Sequence, residues 1–213
     1  TTDTTSLDFS TYYDVEITDM DNLLTSITIP STNQAASLAF SGTAVTSSGN
    51  INSITFFNEL VVTVSHSSST TIMIIPTGTK MSGTSWDGDM KLAGYSETSS
   101  LSVTDQTIES AEIFGSDDIN LSFDNPVKLT YTGKSDKNIG LKSIGGSPTL
   151  ISTVCDSNDT ATVASQLGGS GDCKITNGSD LIAYTYHFTT FFISSDTPSS
   201  SSSSGGGRGN CDY

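Results

Sequence analysis

The sequence predicts an all-β protein, an antiparallel β-sandwich, on three observations. Helix formers are scarce, while Ser and Thr together make about a third of the 213 residues and Val, Ile, Tyr and Phe are frequent. Several stretches alternate apolar and polar residues with a period of two. Turn signals rich in Gly, Pro, Asn and Asp recur about every eight to twelve residues, the rhythm of a sandwich.

The densest apolar run is 181–193, Leu-Ile-Ala-Tyr-Thr-Tyr-His-Phe-Thr-Thr-Phe-Phe-Ile. Both faces of an extended chain there are largely apolar. This predicts one central strand, buried on two sides. The cleanest alternation lies at the other end, over 7–18. Leu7, Phe9, Tyr13, Val15 and Ile17 share one face and Asp8, Ser10, Asp14, Glu16 and Thr18 the other. Two readings stay open for it: an edge strand of its own sheet, or a strand donated to a neighbouring subunit by β-augmentation.

Between these ends the pattern predicts strands over 23–29, 36–40, 43–46, 53–57, 60–66, 70–75, 90–95, 107–114, 119–123, 127–131, 139–144 and 149–154. One short helical turn is expected over 160–167. Ser47-Ser-Gly-Asn50 reads as a boundary between an N-terminal β arm (1–50) and a sandwich domain (51–195). Residues 196–213 form a Ser/Gly-rich tail with linker composition.

The net charge is −15, from 8 basic and 23 acidic residues. Phosphate-backbone attraction is therefore absent and nucleic acid is excluded as a partner. No apolar run is long enough for a membrane-spanning helix, so no membrane insertion is expected. The start at Thr1 points to a removed signal peptide or a fragment. Cys155 and Cys173 bracket a polar loop and predict a loop-closing disulfide in a secreted or cell-surface chain. Three free thiols in a cytosolic protein is the competing reading. Cys211 is left over in the tail, a candidate for an intermolecular bond.

Motifs for chemistry are sparse. The two histidines are His66 and His187, and no nucleophile-elbow or metal-ligand spacing accompanies them. No catalytic residue, no transition metal and no cofactor are expected, and the chain reads as a non-enzyme. Acidic groups in turns (Asp19, Asp21 and Asn22; Asp87 and Asp89; Asp117 and Asp118; Asp156, Asn158 and Asp159) supply the oxygen ligands that Ca²⁺ prefers. They lack an EF-hand pattern, and solvated turn carboxylates are the simpler reading. Asn120, Asn158 and Asn177 begin N-glycosylation sequons. Lys128, Lys134, Lys137 and Lys142 fall close together and suit a strand edge guarded against unwanted pairing.

Residues 119–133, Ile-Asn-Leu-Ser-Phe-Asp-Asn-Pro-Val-Lys-Leu-Thr-Tyr-Thr-Gly, resemble the strand signature of ZU5-like β-sandwich modules. The segment Tyr186-His-Phe-Thr-Thr-Phe191 is similar to their terminal His-Phe-Ser/Thr motif. Together with Cys155, Gly171-Asp-Cys173, the Trp86-Asp-Gly88 turn and the Ser/Gly tail, the chain resembles secreted surface proteins of archaea, particularly thaumarchaeal ones. The resemblance covers about residues 55–210 and implies a ZU5/Ig-like sandwich at the cell surface, while 1–50 match nothing in that family. The function expected is a structural subunit of an extracellular filament that polymerises with itself through strand donation. The alternative is a monomeric adhesion module binding glycans or cations.

Overall fold

The computed structural model describes residues 6–8, 14–20, 25–30, 36–66, 69–95, 98–116 and 118–198. In chain order the strands are β1 (Ser6–Asp8), β2 (Asp14–Ile17), β3 (Ser26–Ile29), β4 (Ala36–Phe40), β5 (Thr46–Ser48), β6 (Ile51–Thr55), β7 (Leu60–Ser65), β8 (Thr70–Ile75) and β9 (Lys80–Thr84). They continue with β10 (Asp89–Tyr95), β11 (Gln106–Gly115), β12 (Leu121–Tyr131), β13 (Asn138–Lys142), β14 (Thr149–Leu150), β15 (Asp172–Asn177), β16 (Asp180–Phe188) and β17 (Thr190–Asp196). One helix, α1 (Thr160–Leu167), lies between β14 and β15. A ten-stranded and a seven-stranded sheet face each other, so the all-β sandwich stands.

The sandwich is mixed, not purely antiparallel. The pairs β1–β3, β3–β7 and β2–β4 are parallel. The reason is the path of the chain. β1 and β3 belong to the large sheet and β2 and β4 to the small one, so the chain changes sheet at each of these steps. A strand that returns after a crossover lies alongside its predecessor in the same direction. The described residues on both sides of position 50 pack in one core: Ile27, Ile29, Leu38 and Phe40 join Leu60, Val62, Met73 and Leu129. Ser47-Ser-Gly-Asn50 is the turn of the β5–β6 hairpin.

β12 is the spine of the large sheet. The sequence predicts two strands there, and the structure has one, bent in the middle. Between Ser122 and Val127 it advances five residues while β16 advances two, from His187 to Thr185. Pro126 sits in this bulge, where its missing N–H breaks no ladder. The bend lets one edge of β12 pair with β9 near its start and with β8 near its end, while β16 holds the other edge. Asp124 within the bulge accepts the Lys80 N–H at 2.7 Å and fixes the start of β9.

The run 181–193 is a second correction. It forms two strands, β16 in the large sheet and β17 in the small one, separated at Thr189. Burial on both faces has a specific cause in each. In β16, Leu181 and Ala183 face the inter-sheet core, while Ile182 and Tyr184 face outward under Val163 of α1 and the Cys155–Cys173 pair. In β17, Phe191 and Ile193 point inward, and Phe192 points outward under Leu101. The predicted strand 43–46 is instead a single 3₁₀ turn, Gly42–Ala44, with Gly42 at φ +59°. β9 and β15 were not expected, because neither carries a run of alternating large apolar residues.

Trp86 shows how a turn is locked. It is fully buried beside Phe40, with ring centroids 6.0 Å apart, and its indole N–H donates to the Asp89 carbonyl at 2.7 Å. Gly88 stands at φ +103°, and a Cβ there would lie 2.2 Å from the Phe40 carbonyl oxygen. Gly178, in the β15–β16 turn, has a similar left-handed backbone at φ +62° but open space around it. Gly178→Ala is therefore expected to cost about 1 kcal/mol, the left-handed penalty alone. Gly88→Ala should cost about 3 kcal/mol or more, because backbone must also move. Urea midpoints of the two variants test this, and equal losses would contradict it.

Candidate functional site

The N-terminal strands form one edge of each sheet. β1 is the terminal strand of the order β1-β3-β7-β8-β12, and β2 is the terminal strand of β14-β13-β17-β11-β10-β4-β2. Their ladders are short: Ser6–Asp8 against Ser26–Thr28, and Asp14–Ile17 against Ser37–Phe40. Val15 and Ile17 of β2 are half-buried against the main core. The strand is held beyond its ladder by Ser41, whose N–H donates to the Ile17 carbonyl at 3.0 Å and whose hydroxyl donates to Glu16 at 2.8 Å. Leu7 lies in β1, and Phe9 and Tyr13 lie outside the described residues. Residues 7–18 thus do not run as one strand in this structure, since β1 and β2 serve opposite sheets.

Other edges are shielded. The outer side of β15 is covered at its middle by 153–155: the Lys174 N–H donates to the Thr153 carbonyl at 2.9 Å, and the Cys155 N–H to the Lys174 carbonyl at 3.0 Å. The Cys155–Cys173 disulfide, with an S–S distance of 2.04 Å, ties that cover to the strand. β14 is only two residues long, and β5 three. Short or covered edges resist strand addition. Cys211 lies outside the described residues.

Both histidines meet a carboxylate. His66, at the end of β7, contacts the Glu112 carboxylate through Nε2, and the Thr71 hydroxyl donates to the same oxygen at 2.9 Å. Glu112 comes from β11 of the small sheet and is 4% exposed, so the contact links the two sheets from within. Its other oxygen and the buried Tyr131 hydroxyl have no hydrogen-bond partner among the described residues. The hydrogen bond with Glu112 raises the His66 pKa above 6.5 against the opposing effect of burial. Burial raises the Tyr131 phenol well above its ordinary value. His187 Nε2 stands 3.7 Å from Asp172 Oδ1, beyond hydrogen-bond range, and burial raises the Asp172 carboxyl. Sequence reasoning missed Glu112, Thr71 and Tyr131. The available signal was that Glu112 shares a strand face with Phe114.

The turn acids have local tasks. Asp159 caps α1, accepting from the Thr162 N–H and hydroxyl at 2.8 Å each, and these bonds lower its pKa. Asp87 accepts from the Asp89 N–H at 3.1 Å. Asn158 accepts the Tyr184 hydroxyl through its carbonyls at 2.8 and 3.2 Å. Asp21, Asn22 and Asp117 lie outside the described residues. Among the described residues no three His, Cys, Asp or Glu side chains converge as a metal-binding group. Asn120, Asn158 and Asn177 are all exposed. The lysines separate: Lys134 and Lys137 bridge Glu109 at 3.4 and 2.9 Å, and Lys128 lies 5.9 Å over the Tyr184 ring.

No family model, curated protein or solved structure matches the chain.

Two measurements follow from this geometry. Removing the disulfide as Cys155→Ala/Cys173→Ala releases a loop of sequence separation 18 and should lower unfolding free energy by about 3 kcal/mol in urea titrations. An unchanged midpoint would count against the tether. The His66 contribution is full below its ordinary value of 6.5 and is lost as pH rises through its raised folded value. The urea midpoint of the intact chain should therefore fall over that interval. The fall should flatten in Glu112→Gln, and a parallel pH profile in that variant would refute the pairing.

Proposed function

We propose that this chain is a structural subunit of an extracellular filament, in which the N-terminal strands of one copy close the sheet edges of the next. One observation carries the reading. One terminal strand of each sheet comes from the first seventeen residues, and the two are held by three- and four-residue parallel ladders. Behind them, β3 and β4 bury Ile27, Ile29, Leu38 and Phe40 in the core. A sandwich without β1 and β2 keeps that core but exposes two unpaired strand edges, a template for another chain.

The same ladders form within one chain or between copies, because an exchanged element makes identical contacts in either place. In the exchanged form Leu7 of β1 and Val15 and Ile17 of β2 are the apolar side chains that set register. A head-to-tail exchange does not close on itself, so it propagates as a fibre. The cover on the β15 edge leaves the N-terminal edges as the proposed route of growth. The Cys155–Cys173 disulfide fits a non-cytoplasmic compartment. Secretion, a place at an archaeal-type cell surface, kinship with ZU5-like modules and glycans on the three exposed sequons belong to the same proposal.

Deleting residues 1–18 tests it. Negative-stain images of the full chain should show fibres. The truncated chain should stay β-rich by circular dichroism and form no fibres, either remaining dispersed or aggregating irregularly. Identical fibres from the truncated chain would sink the strand-exchange reading. Dispersed particles from the full chain would favour a monomeric adhesion module.

A further inference from the structure

A cleft of about 230 Å³ opens on the outer face of the small sheet, apart from the N-terminal edges. Its floor follows from register. Ile113 of β11 pairs with Thr190 of β17, which pairs in turn with Lys142 of β13. Directly paired residues share a face of the sheet. Their chain neighbours Phe114, Phe191 and Leu141 pack into the main core. The row Ile113–Thr190–Lys142 therefore points outward.

Ser100 and Leu101 form one wall, and the turn at Ser143 and Ile144 forms the other. Thr189 sits at the base, its buried hydroxyl donating to the Lys142 carbonyl. Ile144 is 39% exposed, an uncommon state for a large apolar side chain in this molecule.

The charge of the lining is what selects a ligand. Lys142 is its charged member. Lys134 and Lys137 are occupied by Glu109, and Lys174 donates to Asn138 at 3.2 Å. Lys142 has no ion pair or side-chain hydrogen bond among the described residues. On a chain of net charge −15 an anion is repelled over most of the surface. An unneutralised ammonium beside hydroxyls and apolar walls is an exception. At about 230 Å³ the cleft has room for one small ring compound.

We infer that this cleft binds a small hydroxylated carboxylate of the hexuronate type. Lys142 takes the carboxylate, the hydroxyls of Ser143 and Thr190 bond the ring hydroxyls, and Ile113 and Ile144 pack the ring's C–H face. A free hexuronate and the acidic end of a polysaccharide present the same chemistry. The site does not depend on the filament reading and can operate in a monomer.

Titrating the ¹⁵N-labelled intact chain with sodium glucuronate tests the inference, with glucose and acetate in parallel and an oligogalacturonide as the polymer arm. Saturable shifts should appear at the amides of 143–145 and 189–190. Binding of glucose and of acetate should be weaker, and Lys142→Gln, with an otherwise unchanged spectrum, should weaken glucuronate binding about tenfold. Tighter binding of the oligogalacturonide than of glucuronate would assign the natural ligand to a polysaccharide, and equal or weaker binding to the free acid. The site is ruled out by shifts that fail to saturate in the millimolar range. Equal responses to glucuronate, glucose and acetate, or an unchanged response in Lys142→Gln, also overturn it.

Discussion

The phenylalanine contact where the chain passes from one sheet to the other holds the sandwich together. Phe188 ends β16 and Phe191 follows in β17, with only Thr189 and Thr190 between them. Phe188 meets Phe123 of the large sheet edge to face at 4.5 Å and lies 6.0 Å from Phe114 of the small sheet. Phe114 meets Phe191 at 6.3 Å. Such pairs add about 0.5–1.5 kcal/mol each beyond the area they bury. The approach needs Gly115, at φ +98°, where a Cβ would stand 2.6 Å from that of Phe188. The Thr189 carbonyl accepts the Phe114 N–H at 3.2 Å, so the crossover is itself laddered. One short segment thus fixes the spacing of both sheets.

With the two sheets fixed, the remaining problem is their edges. At one side the disulfide, the segment 153–155 and α1 cover β15 and the outer face of β16. That cover is why Ile182 and Tyr184 are buried although they face away from the sandwich interior. At the other side, among the described residues, the N-terminal strands cover the edges of β3 and β4. An edge closed by a terminal segment can exchange that segment, while an edge closed by a disulfide-bound loop cannot. In the proposed filament this asymmetry sets the direction of growth. The buried Glu112–His66 contact lies between the sheets and joins β11 of one to the end of β7 of the other.

Much of this was legible in the sequence because burial alternates along most strands. The runs 36–40 and 70–75 coincide with β4 and β8, and 160–167 with α1, whose cap Asp159 and terminal Gly168 are readable signals. The pairing of Cys155 with Cys173 followed from spacing. The break at Thr189 was not legible, since Phe-Thr-Thr-Phe continues an apolar run and its change of sheet depends on Phe114 and Gly115, far away in sequence. Pro126 suggested two strands, because a proline in a central strand is tolerated only at a bulge, and bulges are set by partners. β9 escaped notice because Gly83 fits beneath Leu121 and Trp86, a tertiary reason with no local pattern. Glu112 escaped because a carboxylate on an apolar face looks like an exception until His66 and Thr71 arrive from the other sheet.

Disulfide trapping at one register pair tests exchange of the terminal strands most directly. Ser6 and Ser26 are partners in the β1–β3 ladder. With Cys211→Ser removing the tail thiol, Ser6→Cys/Ser26→Cys is assembled, oxidised and run on a non-reducing denaturing gel. Exchange predicts a ladder of covalent dimers, trimers and longer chains that collapses to monomer on reduction. A single oxidised monomer band from material that is fibrous by electron microscopy would place β1 in its own subunit and contradict the account.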